Sequence, residues 1–334
     1  MRRVDRRQQL QRWTETQLNA SPLLLDPAST DASFRRYFRV RAAEGSLIVM
    51  DAPPGQEDCR PFVRVARLLA AAGVHVPRII AADFEQGFLL LSDLGTTSYL
   101  QALNDGSADE LFGDAIDALL LWQLASQPDM LPPYDDALLR RELQLFPEWY
   151  LERHLGYTLN PAQRRTLAEV FALILENNLA QPAVYVHRDY MPRNLMVCDP
   201  NPGVLDFQDA VYGPITYDVA SLFRDAFVSW DEARVLDWTA RYWEKARRAG
   251  LPVDRDFGSF YCDLEWMGLQ RHLKVLGIFA RLHYRDGKRG YLEDTPRFTG
   301  YVRAVAGRYH ALKPLLTLLD ASERQPQVRA GYTF

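Results

Sequence analysis

Cysteine is scarce in this chain of 334 residues, with only Cys59, Cys198 and Cys262 present. They are odd in number, far apart and without CxxC spacing, which argues against a disulfide framework or a zinc site and fits a reducing cytoplasm. Long apolar runs are missing as well. Stretches such as Leu119 to Leu121 fall far short of the roughly 20 residues that a membrane helix needs. No apolar signal core follows the arginine-rich start, so a membrane or secreted setting is not expected, and Asn19-Ala20-Ser21 is a glycosylation sequon in form only. Charge of one sign is not in excess either. A net charge of −4 spread over both signs offers no global basic field for nucleic acid, and Arg2, Arg3, Arg6, Arg7 and Arg12 read as a solvated helix face. Repeats and low-complexity tracts are absent, while 48% hydrophobic and 25% charged residues suit a globular chain long enough for two cores.

The first third reads as a small antiparallel sheet. Arg36, Phe38 and Val40 alternate with Arg35, Tyr37 and Arg39, Glu44-Gly45-Ser46 turns the chain, and Leu47 to Met50 returns. Phe62, Ala66, Leu69 and Ala70 have helical spacing, Gly73 suits a left-handed cap and Pro77 forbids continuation, which predicts a helix over 60–72. A strand from Phe88 to Leu91 then ends at Ser92-Asp93-Leu94-Gly95. Beyond it the pattern becomes helical, with a capping-box spacing at Ser107 to Glu110 and an apolar stripe through Phe112, Ile116 and Leu120. Ala183 to Val186 reads as a short strand, and Leu195 to Cys198 and Val204 to Phe207 as a hairpin about Asp199-Pro200-Asn201-Pro202-Gly203. The predicted fold class is therefore α+β, a β-rich lobe over 1–95 followed by a mainly helical lobe over 96–334.

The chemistry is concentrated in His187-Arg188-Asp189-Tyr190-Met191-Pro192-Arg193-Asn194 and in Asp206-Phe207-Gln208 after the hairpin. A buried Asp beside a His is, alone, more often a structural pair. Here HRDxxxxN is followed by a DFG-like triplet in the order that phosphoryl transfer demands: one carboxylate facing an acceptor hydroxyl and oxygen ligands for magnesium. Asp189 is the candidate catalytic carboxylate, Asn194 and Asp206 the candidate metal ligands, and His187 a structural support of the loop.

These motifs resemble the aminoglycoside and choline kinase branch of the protein-kinase-like superfamily, over most of the chain. More narrowly, Asp31 to Arg39, Met50-Asp51-Ala52-Pro53-Pro54, Asp206-Phe207-Gln208-Asp209-Ala210 and Gln270-Arg271-His272-Leu273-Lys274 are similar to bacterial anomeric kinases of N-acetylmuramate and N-acetylglucosamine, which act in peptidoglycan recycling. The resemblance implies a protein-kinase-like two-lobe fold, ATP as co-substrate with Mg2+, an amino sugar as acceptor, no nucleic-acid or membrane partner, and a cytoplasmic monomer. It implies a hinge at Ser92, Asp93 and Leu94 whose backbone meets adenine, and a bracing role for Asp218. Asp209 either approaches magnesium and substrate or caps its turn.

The chain departs from the kinase pattern in two places. The strand lysine that meets nucleotide phosphates is replaced by Met50, and Phe62 stands near the position of its helix glutamate. Loss of both members leaves neither charge stranded, so the device is expected to be replaced, with Arg35, Arg36 and Arg39 as candidates against the alternative of a solvated strand face. The phosphate loop, Ser29 to Ser33, has no glycine, although backbone N–H groups there, including Ser33, can still receive phosphate. Between Glu265 and Arg297 lie seven lysines or arginines against four acids. That balance disfavours polycationic aminoglycosides and suits a carboxylate-bearing or neutral sugar, with Glu265, Arg271, His272 and Lys274 as candidate substrate residues. Trp266, Tyr284 and Tyr291 fit either a sugar platform or, more commonly, core. A kinase for another small molecule (an aminoglycoside, choline or homoserine) and a nucleotide-binding pseudokinase are the competing readings.

Overall fold

The structure, a computed structural model, describes residues 5–30, 34–42 and 45–324. In chain order the elements are α1 (Arg6–Leu18), β1 (Asp26–Thr30), β2 (Arg36–Ala42), β3 (Gly45–Asp51), α2 (Arg60–Ala71), β4 (Ile79–Asp83), β5 (Phe88–Ser92), α3 (Tyr99–Ala102) and α4 (Ala108–Leu124). There follow α5 (Asp136–Leu145), a π-helical turn (Phe146–His154), α6 (Pro161–Ala180), β6 (Ala183–Val186), β7 (Leu195–Met196), β8 (Gly203–Val204) and β9 (Val211–Pro214). The chain closes with α7 (Tyr217–Phe223), α8 (Glu232–Ala249), α9 (Phe257–Tyr284), α10 (Thr295–Arg308) and α11 (Lys313–Glu323). They form two compact units, 1–122 with 192–210, and 123–191 with 211–334.

The first unit is built on a five-stranded antiparallel sheet in the order β1-β2-β3-β5-β4. Register and the two-residue period of a strand decide its faces. Phe38 pairs with Val49, which pairs with Leu90, and Arg36 pairs with Asp51, which pairs with Phe88. Leu10 of α1 packs on Phe38, Val40, Val49, Phe88 and Leu90. The α1 face therefore also carries Arg36 and Asp51, whereas Tyr37, Arg39, Ile48 and Met50 belong to the opposite face.

The sequence-predicted hairpin is present but shorter than expected. Only Leu195 with Val204 and Met196 with Gly203 are paired, because Val197 donates its N–H to Thr97 and Val204 donates to His75 instead of extending the ladder. The expected capping box at Ser107 takes another form, since its hydroxyl donates to the Ala102 carbonyl and accepts from the Asn104 N–H. β1, β4 and β9 were not anticipated. The arginines of α1 are not simply a solvated face, either. Arg6 pairs with the fully buried Asp51 at 2.7 Å, and the Arg7 guanidinium lies 5.6 Å from the Phe38 ring; Arg2 and Arg3 lie outside the described residues.

The second unit is organised by α9, capped by Asp256, which accepts the Ser259 N–H. Helices α5, α6, α7, α8 and α10 and the π-helical turn all pack on it. Trp266 packs edge-on against Tyr309, and Tyr291 lies against Phe279, so both aromatics are in ring contacts within the protein. No helix of the described residues is long and apolar enough to cross a membrane. Close approach of α9 to the end of α5 is possible only at Gly277, where a Cβ would lie 2.3 Å from the Leu145 carbonyl carbon. Gly277→Ala is expected to destabilise the fold by about 1–3 kcal/mol through overpacking. Gly113→Ala, in α4 with nothing within 4 Å of the new methyl, should instead stabilise by up to about 1 kcal/mol through helix propensity. Thermal unfolding of the two variants checks the opposite signs.

Candidate active site

In the second unit, β6 delivers the chain to His187, and the following loop is held by Asp218 in the first turn of α7. One Asp218 oxygen accepts the His187 N–H at 2.7 Å and the other accepts the Arg188 N–H at 3.0 Å. Arg188 adopts a left-handed conformation, φ 77°, which is uncommon for a residue with a Cβ and persists only where its surroundings hold it. The Asp189 N–H donates to His187 Nδ1 at 3.3 Å, which places the neutral ring's proton on Nε2, and the Met191 N–H closes back on the Asp189 carbonyl at 3.0 Å. His187 and Asp218 therefore shape the backbone that carries Asp189.

Burial pushes the Asp218 carboxyl up to about 7, against the two loop N–H groups and the Arg271 charge that favour its ionised form. Beneath the loop, Glu142 of α5 pairs with Arg188 and, at 2.9 Å, with Lys274, and accepts from the Tyr134 hydroxyl. Burial works against the charge of Glu142, yet Lys274 and Arg188 keep its carboxyl below the usual range. Lys274 also donates to the Tyr217 hydroxyl at 3.0 Å, and both cations are further favoured by the Asp189 charge. Arg188 and Lys274 thus both close on Glu142, so that the buried carboxylate and both cations have a partner. Glu142 was missed in the sequence, although an acid one turn from Leu139 on an apolar helix stripe was a usable signal.

In the first unit, Asn194 ends a short 3-10 turn and is buried, with its amide nitrogen 3.5 Å from Asp206 Oδ2. Asp206 is two residues past β8 and left-handed, φ 62°, not at a strand end as expected, and its other oxygen accepts from Gln208 at 2.9 Å. Phe207 turns inward against Phe62, ring centroids 4.7 Å apart, so Phe62 is a packing residue. Asp209 is exposed. No group of three His, Cys, Asp or Glu side chains among the described residues forms a metal cage. A carboxylate and an amide oxygen, as Asp206 and Asn194 supply, are donor types that suit a hard cation retaining water and phosphate oxygens, as magnesium does.

At the predicted hinge, Asp93 takes the Arg39 guanidinium, the Ser46 hydroxyl and the Gly95 N–H, while the Ser92 hydroxyl accepts the Arg78 N–H and Leu94 is buried. Burial opposes the Asp93 charge, but these partners hold its carboxyl below the usual range. Arg36 is paired with Asp51 on the α1 face. Of the three candidate arginines, Arg36 and Arg39 are held by carboxylates of the fold; Ser33 lies outside the described residues.

The α9 candidates are inside the protein. Glu265 pairs with Arg224 and Arg308 and accepts from Tyr309 at 2.7 Å. His272 stacks on Tyr301 and faces the Arg224 carbonyl, and burial beside Arg271 and Arg224 takes its pKa well below the ordinary value. Lys274 is held by Glu142. Arg271 is 2% exposed.

Comparison with known proteins agrees with this layout. The phosphotransferase enzyme family pattern matches residues 25–255. The chain belongs to the phosphotransferase enzyme family. Curated relatives of this phosphotransferase include a protein of Pseudomonas putida, 55% identical over 97% of this chain and 98% of its own, and one of Neisseria meningitidis serogroup B, 46% identical over 99% and 100%. A third, from Pseudomonas aeruginosa, is 58% identical over 89% of this chain and 88% of its own, and all three are named N-acetylmuramate/N-acetylglucosamine kinase. Among solved structures, a putative aminoglycoside phosphotransferase from Ralstonia eutropha matches with a TM-score of 0.62 at 14% identity, covering 93% of this chain and 98% of its own. A choline kinase from Streptococcus pneumoniae matches with a TM-score of 0.62 at 12% identity, covering 89% and 99%. The phosphotransferase has the α+β, protein-kinase-like two-lobe fold expected from its sequence.

Asp218→Asn is expected to lower kcat by about tenfold or more, because an amide nitrogen must then face a loop N–H and the Asp189 backbone shifts. The same variant tests the titration. A carboxyl whose folded pKa is raised from 3.8 to about 7 contributes stability that is fully present below its unfolded pKa and lost as pH rises through 7. Wild type should lose stability relative to Asp218→Asn between pH 4 and 8, as urea denaturation across that range will read.

Proposed function

We propose that this phosphotransferase is an ATP-dependent N-acetylmuramate/N-acetylglucosamine kinase acting on the anomeric C1 hydroxyl in peptidoglycan recycling. The observation that carries this reading is the agreement of three relatives so named, 46–58% identical over most of the chain, with a loop before Asp189 whose His187 and Arg188 N–H groups are held by Asp218. Asp189 accepts the acceptor hydroxyl proton while the oxygen forms its bond to the γ-phosphorus and the bond to the ADP oxygen breaks. Asn194 and Asp206 would hold Mg2+, which would supply neutralisation of charge on the phosphates. An anomeric hydroxyl is more acidic than an ordinary alcohol because of the ring oxygen, so it asks less of the base that receives its proton.

In this reading residues 1–95 bind nucleotide and 96–334 carry the catalytic loop, metal and acceptor sites. The backbone of Ser92 to Leu94 meets adenine, and Arg39 and Asp93 set its course through their ion pair. Arg35, just ahead of β2, replaces the missing lysine toward the phosphates, together with the N–H of Ser33; Arg36, pinned by Asp51, acts through the sheet. Burial and ion pairing favour positioning roles for Glu265, His272 and Lys274, and exposure leaves Asp209 able to approach metal or substrate. ATP as donor goes with a cytoplasmic location, and a monomer suffices because every group named belongs to one chain.

Asp189→Asn should lower kcat by at least about 10²-fold with nucleotide affinity unchanged, since the carboxylate acts in the transition state. Asp206→Ala should weaken magnesium-nucleotide binding as well as turnover; near wild-type rates in either variant would remove that residue from its role. Phosphorus NMR of the product from each sugar decides the position of transfer. A 1-phosphate is expected, and a 6-phosphate or turnover confined to aminoglycosides or choline would sink the sugar 1-kinase assignment.

A further inference from the structure

Arg188 stands one residue before Asp189 and is left-handed, φ 77°. Glycine enters that region freely, whereas a residue with a Cβ resists it, so an arginine there has to be held. Asp218 holds its backbone, accepting the N–H groups of His187 and Arg188. The side chain is held separately. Its guanidinium pairs with Glu142 Oε1 at 2.5 Å and lies 5.5 Å from the Tyr134 ring, and Tyr134 donates its hydroxyl to Glu142 Oε2. Glu142 is fixed in turn by Lys274, 2.9 Å from Oε1, which also donates to the Tyr217 hydroxyl at 3.0 Å. The Tyr134 and Tyr217 rings pack with centroids 5.2 Å apart. Charged hydrogen bonds enclosed in this way are stronger than neutral or exposed ones.

We infer that Glu142 is a positioning residue for phosphoryl transfer: by pairing with the Arg188 side chain it secures the left-handed backbone that presents Asp189. The inference rests on the reading of Asp189 as the catalytic carboxylate and names what sets its place. The torsions of Arg188 decide the course of the peptide that leads into Asp189, so relaxation to the right-handed region would carry Asp189 with it. The bond from the Asp189 N–H to His187 Nδ1, at 3.3 Å, is long and adds little resistance. Glu142 therefore acts through Arg188 and not on the reacting atoms.

Steady-state kinetics tests this, each variant being assayed at a temperature where circular dichroism shows it folded. Glu142→Gln should lower kcat by about tenfold or more, as misplacement of a reacting group does, while KM for nucleotide and for sugar changes by less than about threefold. Arg188→Ala should lose as much. Arg188→Gly, which takes the left-handed conformation without strain, should keep a kcat about fivefold or more above Arg188→Ala. Adding Glu142→Gln to Arg188→Gly should lower kcat no further, since the pair is already broken. A wild-type kcat in Glu142→Gln, a rise in KM alone, or an Arg188→Gly no better than Arg188→Ala overturns the inference. Rescue of Glu142→Gln by Lys274→Met also overturns it, because the damage would then lie in a stranded Lys274. Should Glu142→Gln not fold, the comparison of Arg188→Gly with Arg188→Ala decides by itself, since both break the pair and differ in the backbone they allow. An Asp189→Asn variant as active as wild type would remove the catalytic reading and this inference with it, whereas an inactive Asp189→Asn beside a fully active Glu142→Gln removes the inference alone.

Discussion

The carboxylate of Asp218, fully buried, accepts the backbone N–H groups of both His187 and Arg188, and most of the helical unit is arranged around keeping it there. The two bonds accompany a left-handed Arg188, whose guanidinium pairs with Glu142. Glu142 in turn requires Lys274 and Tyr134, so α5, α7 and α9 are tied to one loop by charge as well as by packing. Removing Glu142 leaves two buried cations without it, the situation that makes such networks costly to break.

The sheet unit solves a different problem with similar means. Strand β3 carries Met50 and no lysine, and the fully buried Asp51 is one residue on and on the opposite side of the sheet. Arg6 from α1 and Arg36 from β2 close on it, so α1 is bound to the sheet by an ion pair in addition to the apolar contacts of Leu10. Arg39 closes on Asp93 at the hinge. Two of the three arginines that alternate through this strand region thus answer carboxylates of the fold itself.

Much of the loop chemistry was legible because it depends on order along the chain. His187 to Asn194 and Asp206 to Gln208 announce a phosphotransferase by type and spacing, and the strand before them and the hairpin between them follow from apolar runs and the proline-rich turn. The faces of β2 and β3 were legible as alternation. Which face carries α1 was not, since nothing local to Arg6 or Asp51 states that they meet across 45 residues. The same holds for α9, where Arg271, His272 and Lys274 look like three equivalent basic residues in sequence and become, in the fold, a buried guanidinium, an imidazole stacked on Tyr301 with its pKa pushed well down by burial, and an ammonium paired with Glu142.

By itself the sequence determined the fold class, the phosphotransferase loops and the absence of a strand lysine, because motifs, strand period and turn chemistry are written over a few consecutive residues. Tertiary structure decided which charges are free to act. A side chain's charge is a local property, but whether it is available depends on burial and on partners contributed from distant segments, as Glu142 from α5 neutralises Lys274 on α9 and Asp51 from β3 holds Arg6 of α1. Burial and partner choice arise only when the elements pack, and the energy that distinguishes a paired charge from an unpaired one is set there.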